Sequence, residues 1–351
     1  MPRGAPLRTI YLGGGTPTAL SDAQLALLLG RVHERIGDAR PANPPAPAAA
    51  PRGPVQEWTC EANPESVTRE KARLLREAGV DRVSLGAQSF DPEVLAALGR
   101  DHAPAHVFRA LDVLRDAGFR RLSLDLMFAA PGETSAQLER DLATLSGLGL
   151  EHVSAYCLAY EPGTPLTRLR AEGRVTPATD DVELVQFRIV RERLASAGLD
   201  HYEISNFARP GAESLHNLVY WRGEEYFGVG LGAGSYEHGT RRTNTRTLAD
   251  YLGEWGGDAA TGEPARFPPH EAETLDPRSR AREMVILGLR LRRGIEECAL
   301  EAGSGFDLAQ LYPDGEIDAL VERGLLEPAE GCVRLTDRGL ELADEVFVAL
   351  V

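Results

Sequence analysis

The chain has 351 residues, 43% of them hydrophobic, which suits one large domain or a large and a small one. Fifty-three acidic against 38 basic residues give a net charge of −15, which disfavours phosphate backbones and anionic membrane surfaces as partners. No apolar run approaches the roughly eighteen residues of a membrane span, and the four cysteines, at 60, 157, 298 and 332, come no closer than 34 positions, so neither a CxxC pair nor a secreted disulfide framework is present.

MPRGAPLRTIYLG lacks the apolar core of a secretory signal, and a cytoplasmic protein is expected. Thr9–Leu12 reads as a short strand running into GGGTPT. Ser21, with Gln24 three residues on, predicts a capping box for a helix whose apolar stripe is LALLLGRVHERI. Residues 41–54, PANPPAPAAAPRGP, hold six prolines and five alanines and predict a stiff surface insert outside any core. Val55–Glu61 predicts a strand and Thr68–Ala78 a helix stopped by Gly79. Arg82–Ala87 predicts the next strand, Asp91 the cap of a short helix with Pro92 in its first turn, Ala105–Ala117 a helix and Arg121–Met127 a strand. Thr134 and Gln137 form a second capping box, opening a helix to about Gly147. His152–Ala159 follows as a strand, Pro177–Ala197 as a long helix and Asp200–Ile204 as a further strand. Strands alternating with helices predict an α/β fold, a parallel sheet with helical crossovers whose even progression suits a β/α barrel, open or closed.

From about 205 the pattern becomes glycine- and aromatic-rich and reads as loops. After about 277 it predicts a helix near 281–292, two short helices near 306–323, a hairpin of GLLE and CVRLT, and a last helix from Asp337 to the end. That order is winged-helix-like. Its acidity points to a cover or protein-contact module rather than a DNA reader.

In β/α barrels the chemistry gathers at the C-terminal ends of strands. Here the first strand runs into Gly13–Gly15, the second ends in Cys60–Glu61, the third in Gln88, and the fourth, RLSLDLM, carries Asp125. Alternation puts Leu122, Leu124 and Leu126 on one face and Ser123, Asp125 and Met127 on the other, plausible barrel interior. A charge there needs a partner, for which Arg100 is a candidate. The glycines suit either a tight turn or a loop open to a ligand. Glu61 suits either a helix-dipole carboxylate or a ligand contact, and Asp125 either a structural ion pair or a ligand contact. Together the rim residues suit a ligand with an amino group and a ribose better than a phosphate, which two carboxylates would repel.

YLGGGTPT, EANPE, GAQSFDPEVLAALGRDH and LDLMFAAPGET resemble the radical S-adenosylmethionine proteins of the oxygen-independent coproporphyrinogen III oxidase group. YEISNFARPGAESLHNLVYW and YFGVGLGAGSY resemble the haem chaperone branch of that group. The resemblance implies a partial radical-S-adenosylmethionine barrel over 1–204, including the insert at 41–54. It implies an extension with the HNLVYW motif over 205–276, and a winged-helix-like C-terminal domain over 277–351. It also implies S-adenosylmethionine contacts from Gly14, Gly15, Thr16, Glu61, Gln88, Arg100, Asp125 and Ala159, the last lining the adenine. His216, Asn217, Tyr220 and Trp221 are its implied haem contacts, since an imidazole can ligate haem iron and aromatic rings can pack on the macrocycle. The plain alternative is an aromatic core cluster with a satisfied histidine. His102 and His106 read as surface residues, and Cys60 and Cys157 as core packing.

The family carries CxxxCxxC just before this region, holding a [4Fe–4S] cluster. The chain as numbered is expected to begin after that motif, without the first barrel strand, with a misplaced start or a truncation as the favoured explanation and a genuinely shortened form as the other. No metal ligand and no catalytic residue is assigned within it. The cluster is expected only in a full-length form, with haem as cargo. The implied function is a haem chaperone that passes haem to a haem-dependent membrane enzyme. The alternative is an oxygen-independent coproporphyrinogen III oxidase, working by radical oxidative decarboxylation. A phosphosugar-binding barrel is a third reading, which the acidic rim opposes.

Overall fold

The computed structural model describes residues 7–36, 55–255 and 271–351. The proline-rich insert expected at 41–54 lies outside the described residues. The chain divides into two compact units at His216 and Asn217.

The first unit is laid down by local signals. Strand β1, Thr9–Leu12, leads through a 3₁₀ turn at Pro17–Ala19 to helix α1, Asp22–Ile36. Ser21 and Gln24 cap that helix reciprocally, as their spacing predicts. Strand β2, Glu57–Ala62, is followed by helix α2, Arg69–Ala78, which starts where Thr68 accepts the Lys71 N–H and stops at Gly79. Strand β3, Arg82–Gln88, precedes helix α3, Pro92–Ala97, and helix α4, Pro104–Asp116. Strand β4, Arg121–Phe128, helix α5, Ser135–Ser146, with its Thr134–Gln137 capping box, and strand β5, His152–Cys157, follow. Helices α6, Pro165–Ala171, and α7, Asp180–Ser196, then lead to strands β6, Asp200–Glu203, and β7, Asn206–Ala208.

These strands form one seven-stranded half-barrel sheet in the order β1-β2-β3-β4-β5-β7-β6. The first five are parallel, as the alternation with helices requires. The expected strand at 200–204 exists, but it does not continue the parallel succession beside β5. Only two residues separate β6 from β7, too few for a crossover, so the chain reverses and β7 wedges antiparallel between β5 and β6.

Alternation along the strands sorts the two faces. Trp58 and Cys60, Val83 and Leu85, Leu122 and Leu124, and Val153 join a core with helix residues such as Leu75, Leu111, Leu138 and Val190. Leu124 is wholly buried, and burying a leucine side chain contributes about 1.5–3 kcal/mol through the area it removes from water. The residues between them, Glu57, Glu61, Arg82, Ser84, Ser123, Asp125, His152 and Ser154, share the opposite face, which is therefore polar. The expected split of Leu122, Leu124 and Leu126 from Ser123 and Asp125 holds.

The floor of that polar face is a closed network. The wholly buried Glu57 takes Arg121 at 2.6 Å and stands 3.8 Å from Arg82. It also accepts the N–H groups of Leu215, at 3.2 Å, and His216, at 3.0 Å. Arg121 bonds Asp81 at 2.7 Å, and Asp81 accepts the Trp58 N–H at 2.6 Å. The two guanidiniums and the backbone donors hold the Glu57 carboxyl below its ordinary range against the opposing pull of burial.

Helix α8, Leu215–Trp221, crosses from the first unit into the second. The second unit is less loop-like than its glycines suggest. Strands β8, Gly234–Glu237, and β9, Thr240–Thr243, helix α9, Leu248–Trp255, and strand β10, Glu271–Thr274, build a three-stranded antiparallel sheet and its companion helix. Four-residue strands are too short to show a period, so a loop was the natural reading of the sequence. Helix α10, Pro277–Leu289, strand β11, Ile295–Glu296, helices α11, Glu297–Ser304, α12, Leu308–Leu311, and α13, Glu316–Glu322, then lead to strands β12, Leu326–Ala329, and β13, Cys332–Leu335. The predicted hairpin and winged-helix-like order are present, with β11 as an added strand and α11 as an added helix. The single last helix is two, α14, Asp337–Glu341, and α15, Ala343–Leu350, broken at Leu342.

Removing one member of a buried ion pair strands its partners. Glu57→Ala is expected to destabilise the protein by about 3–5 kcal/mol in guanidinium titrations. Glu70→Ala, on the exposed Arg73 pair, should leave the transition unmoved.

Candidate functional site

The rim above the floor network is built from the ends of β1 to β5. Tyr11, on β1, donates its hydroxyl to Glu61 Oε1 at 2.7 Å. The Gly14 N–H reaches Glu61 Oε2 at 3.3 Å. Gly13 packs so closely that a Cβ there would stand 2.6 Å from the Tyr11 ring and 2.9 Å from the Glu61 carboxyl. Gly14 has φ +90°, in the left-handed region, and neither it nor Gly15 has an atom within 4 Å of an added Cβ. One glycine therefore meets the need for close packing, the next the need for a turn, and all three are exposed.

Asp125 pairs in register with Gly86 of β3 and Ser154 of β5. The Ser84 hydroxyl donates to it at 2.9 Å, and Ser154 is its other side-chain partner. Burial raises the Asp125 carboxyl to about 6, the two serine bonds oppose the rise, and Glu61 adds to it. Gln88, at φ +64°, closes β3 at a register shift. Its amide nitrogen would stand 2.9 Å from a Cβ on Gly86, so it lies over the bare position opposite Asp125. Tyr156, 41% exposed, faces the same charges, and burial followed by Asp125 raises its phenol. Burial, then Glu61, keeps the Tyr11 phenol protonated far above its usual range, so it acts as a donor.

The structure thus gathers Gly13, Gly14, Glu61, Gln88 and Asp125 on one rim. Arg100 is exposed beyond α3 and is not the partner of Asp125, whose charge is met by Ser84 and Ser154 with Arg82 as the cation that lowers it. A charge at a strand end needs hydrogen-bond donors, and neighbouring strands supply them at shorter reach. Thr16 caps the 3₁₀ turn through its backbone, and Ala159 is exposed just beyond β5. His102 is not a surface residue: it is 5% exposed and its Nε2 lies 2.9 Å from the Ala87 carbonyl, tying the loop after β3. His106 is half-buried and caps α4. Cys60 is core, as expected, with its thiol raised to about 12, chiefly by burial. Cys157 is exposed at the end of β5, where the strand leaves the core. Residues that sequence reasoning missed are Tyr11, Ser84 and Ser154. For two of them a signal was available: Tyr11 stands two positions before Gly13 and Ser154 two before Tyr156 along their strands, whereas Ser84 lies on a different strand from Asp125.

The HNLVYW segment is the helix α8. His216 is half-buried, with Thr9 Oγ1 2.9 Å from Nδ1 and its ring stacked on Tyr11 at 4.9 Å. Burial lowers its pKa, although Glu57 opposes the shift, so the imidazole is neutral at neutral pH. Farther along the helix, Tyr220 meets Tyr226 edge-on at 4.7 Å, and the Arg290 guanidinium lies 4.3 Å from the Trp221 ring centre.

Residues 3–145 match the model of the Radical SAM superfamily, and residues 275–342 that of the HemN C-terminal domain. Across 98% of its length the chain is 37% identical to the haem chaperone HemW of Bacillus subtilis, covering 86% of that protein. The chain belongs to the HemW family. The Mycobacterium tuberculosis HemW is 36% identical over 98% of this chain and 81% of its own. The solved structure of coproporphyrinogen III oxidase from Escherichia coli, a radical SAM enzyme, shares the fold at a TM-score of 0.75 and 21% identity, covering 97% of this chain and 77% of that one.

Membership in this radical SAM family implies S-adenosylmethionine and a [4Fe–4S] cluster. The rim fits the first: bare loop backbone at Gly14 and Gly15 beside a carboxylate suits an amino-acid tail. Among the described residues no group of three or more His, Cys, Asp or Glu is arranged to hold a metal ion. No helix among them is long and apolar enough to cross a membrane.

The raised carboxyl of Asp125 carries a pH signature. Its usual value is 3.8 and its folded value about 6, so its contribution to stability is full below the former and is lost as pH rises through the latter. Asp125→Asn should gain thermal stability relative to the wild type between pH 5 and 7.5. A difference in Tm that stays constant over that window would disprove the assignment.

Proposed function

We propose that this HemW-family chain binds S-adenosylmethionine on the rim and haem at helix α8, serving as a cytoplasmic haem chaperone that hands its cargo to a haem-dependent membrane enzyme. The observation that carries the nucleotide part is the Tyr11–Glu61–Gly14 cluster facing Asp125. Glu61 would take the ammonium, Gly14 and Gly15 would lie along the methionine backbone, and Gln88 and Asp125 would face the adenosyl part. Arg100, Thr16 and Ala159 complete the set implied by the family. When bound beside a [4Fe–4S] cluster, S-adenosylmethionine supplies a 5′-deoxyadenosyl radical. This chain's own residues bind and orient the nucleotide.

The haem part is supported by the relatives' names and by the placement of α8. A neutral imidazole is the form that ligates metal, and burial keeps the His216 ring in that form. Asn217, Tyr220 and Trp221 follow on the same helix, and the aromatic pair would pack on the macrocycle. The likeness to coproporphyrinogen III oxidase speaks for the fold rather than for decarboxylation.

Haem titration read by Soret absorbance tests the cargo reading. Saturable binding is expected, with His216→Ala weakening it at least tenfold and changing the spectrum. Unchanged affinity and spectrum would remove His216 from the site. Gly13→Ala should push Glu61 from its place and weaken S-adenosylmethionine binding by equilibrium dialysis, and retained affinity would count against the rim.

A further inference from the structure

Strand β1 offers Thr9 and Tyr11 two residues apart, hence on one face. That face grips His216. Thr9 holds Nδ1 at 2.9 Å, and the Tyr11 and imidazole rings stack at 4.9 Å with an interplanar angle of 18°. The neighbouring strand holds the same residue by its backbone, since Glu57 accepts the His216 N–H at 3.0 Å. The hydroxyl of the stacked tyrosine is in turn the 2.7 Å donor to Glu61. Gly13 closes against both side chains, leaving no room for a methyl group.

A glutamate at the end of a strand has three rotatable bonds. Unless something fixes them, a ligand must order them when it binds, at the expense of affinity. A phenol ring is stiff, so fixing the ring plane fixes where its hydroxyl can donate. The stack with His216 does the first and the bond to Glu61 uses the second.

We propose that Tyr11 is the positioning residue for Glu61, aiming its carboxylate at the ammonium of S-adenosylmethionine, and that His216 keeps Tyr11 in that setting. The N-terminal turn of the HNLVYW helix and the nucleotide site are then one mechanical unit. This inference rests on the reading of Glu61 as the ammonium contact. By linkage, whatever displaces His216 changes the affinity for the nucleotide, and the nucleotide changes the hold on His216 to the same degree.

The test measures equilibrium binding of S-adenosylmethionine and of 5′-methylthioadenosine, which keeps the nucleoside and sulfur but lacks the amino-acid tail. Tyr11→Phe retains the ring and its stack and deletes only the hydroxyl. It should raise the Kd for S-adenosylmethionine about five- to tenfold, the scale of one ordinary hydrogen bond, because Tyr11 acts through Glu61 and not on the ligand itself. The affinity for 5′-methylthioadenosine should not change. His216→Ala should raise the Kd for S-adenosylmethionine about threefold, an effect that should vanish in the Tyr11→Phe background because it acts through the same hydroxyl. Equal weakening of both ligands by Tyr11→Phe would make Tyr11 a general structural residue and overturn the proposal. If Tyr11→Phe is silent while Glu61→Gln weakens S-adenosylmethionine, the nucleotide site stands and the positioning role falls. If Glu61→Gln is itself silent, the reading of the site fails and the inference goes with it.

Discussion

The buried carboxylate of Glu57 is the constraint on which the polar side of the sheet depends. A charge with no exposure survives only where donors surround it, and here they come from three distant parts of the chain: Arg82 and Arg121 on neighbouring strands, and the first turn of α8. The same contact therefore closes the floor of the half-barrel and anchors the helix that carries HNLVYW. A carboxylate at that helix start also meets the positive end of the backbone dipoles, which adds to the hold.

Above this closed floor the chemistry changes. Floor groups bond one another: Ser123 lies 2.7 Å from His152, which reaches the Tyr202 hydroxyl at 3.0 Å, and burial drives the His152 pKa well down so that the ring stays neutral. Rim groups are less fully met. Asp125 has two serines yet still sits about two pH units above its ordinary value. Glu61 has a phenol and a long contact from Gly14. Two carboxylates on one rim, with Glu61 adding to the cost of charging Asp125, favour a cationic ligand at that level and disfavour an anion. The sulfonium and ammonium of S-adenosylmethionine satisfy that preference, where a phosphate would not.

Much of this was legible in the sequence because strand period and helix caps are local. Thr68, Asp91 and Thr134 cap helices where their spacing says they should. The inward turn of Asp125 follows from alternation alone. What was not legible depends on contacts far apart along the chain. The partner of Asp125 could not be read, because Ser84 lies 41 positions away and nothing local marks it against Arg100. Glu57 looked like any strand-start carboxylate, since its helix partners are 158 and 159 positions on. The reversal at Glu203–Asn206 was not legible because β6 and β7 are only four and three residues long, too short to show a period, and only the two-residue turn between them rules out a crossover.

The placement of α8 bears on how a carrier could work. A protein that must release its cargo needs its binding element to feel some second state of the molecule, because equal affinity in every state gives no handover. The N-terminal turn of α8 touches β1 and β2, the two strands that also deliver Gly13, Gly14 and Glu61 to the rim. That turn joins the floor carboxylate Glu57 and the rim aromatic Tyr11 to the HNLVYW histidine. A change in what Glu61 holds would thus be felt one side chain away, at the imidazole, without any movement of the helical layer that packs on the far face of the sheet.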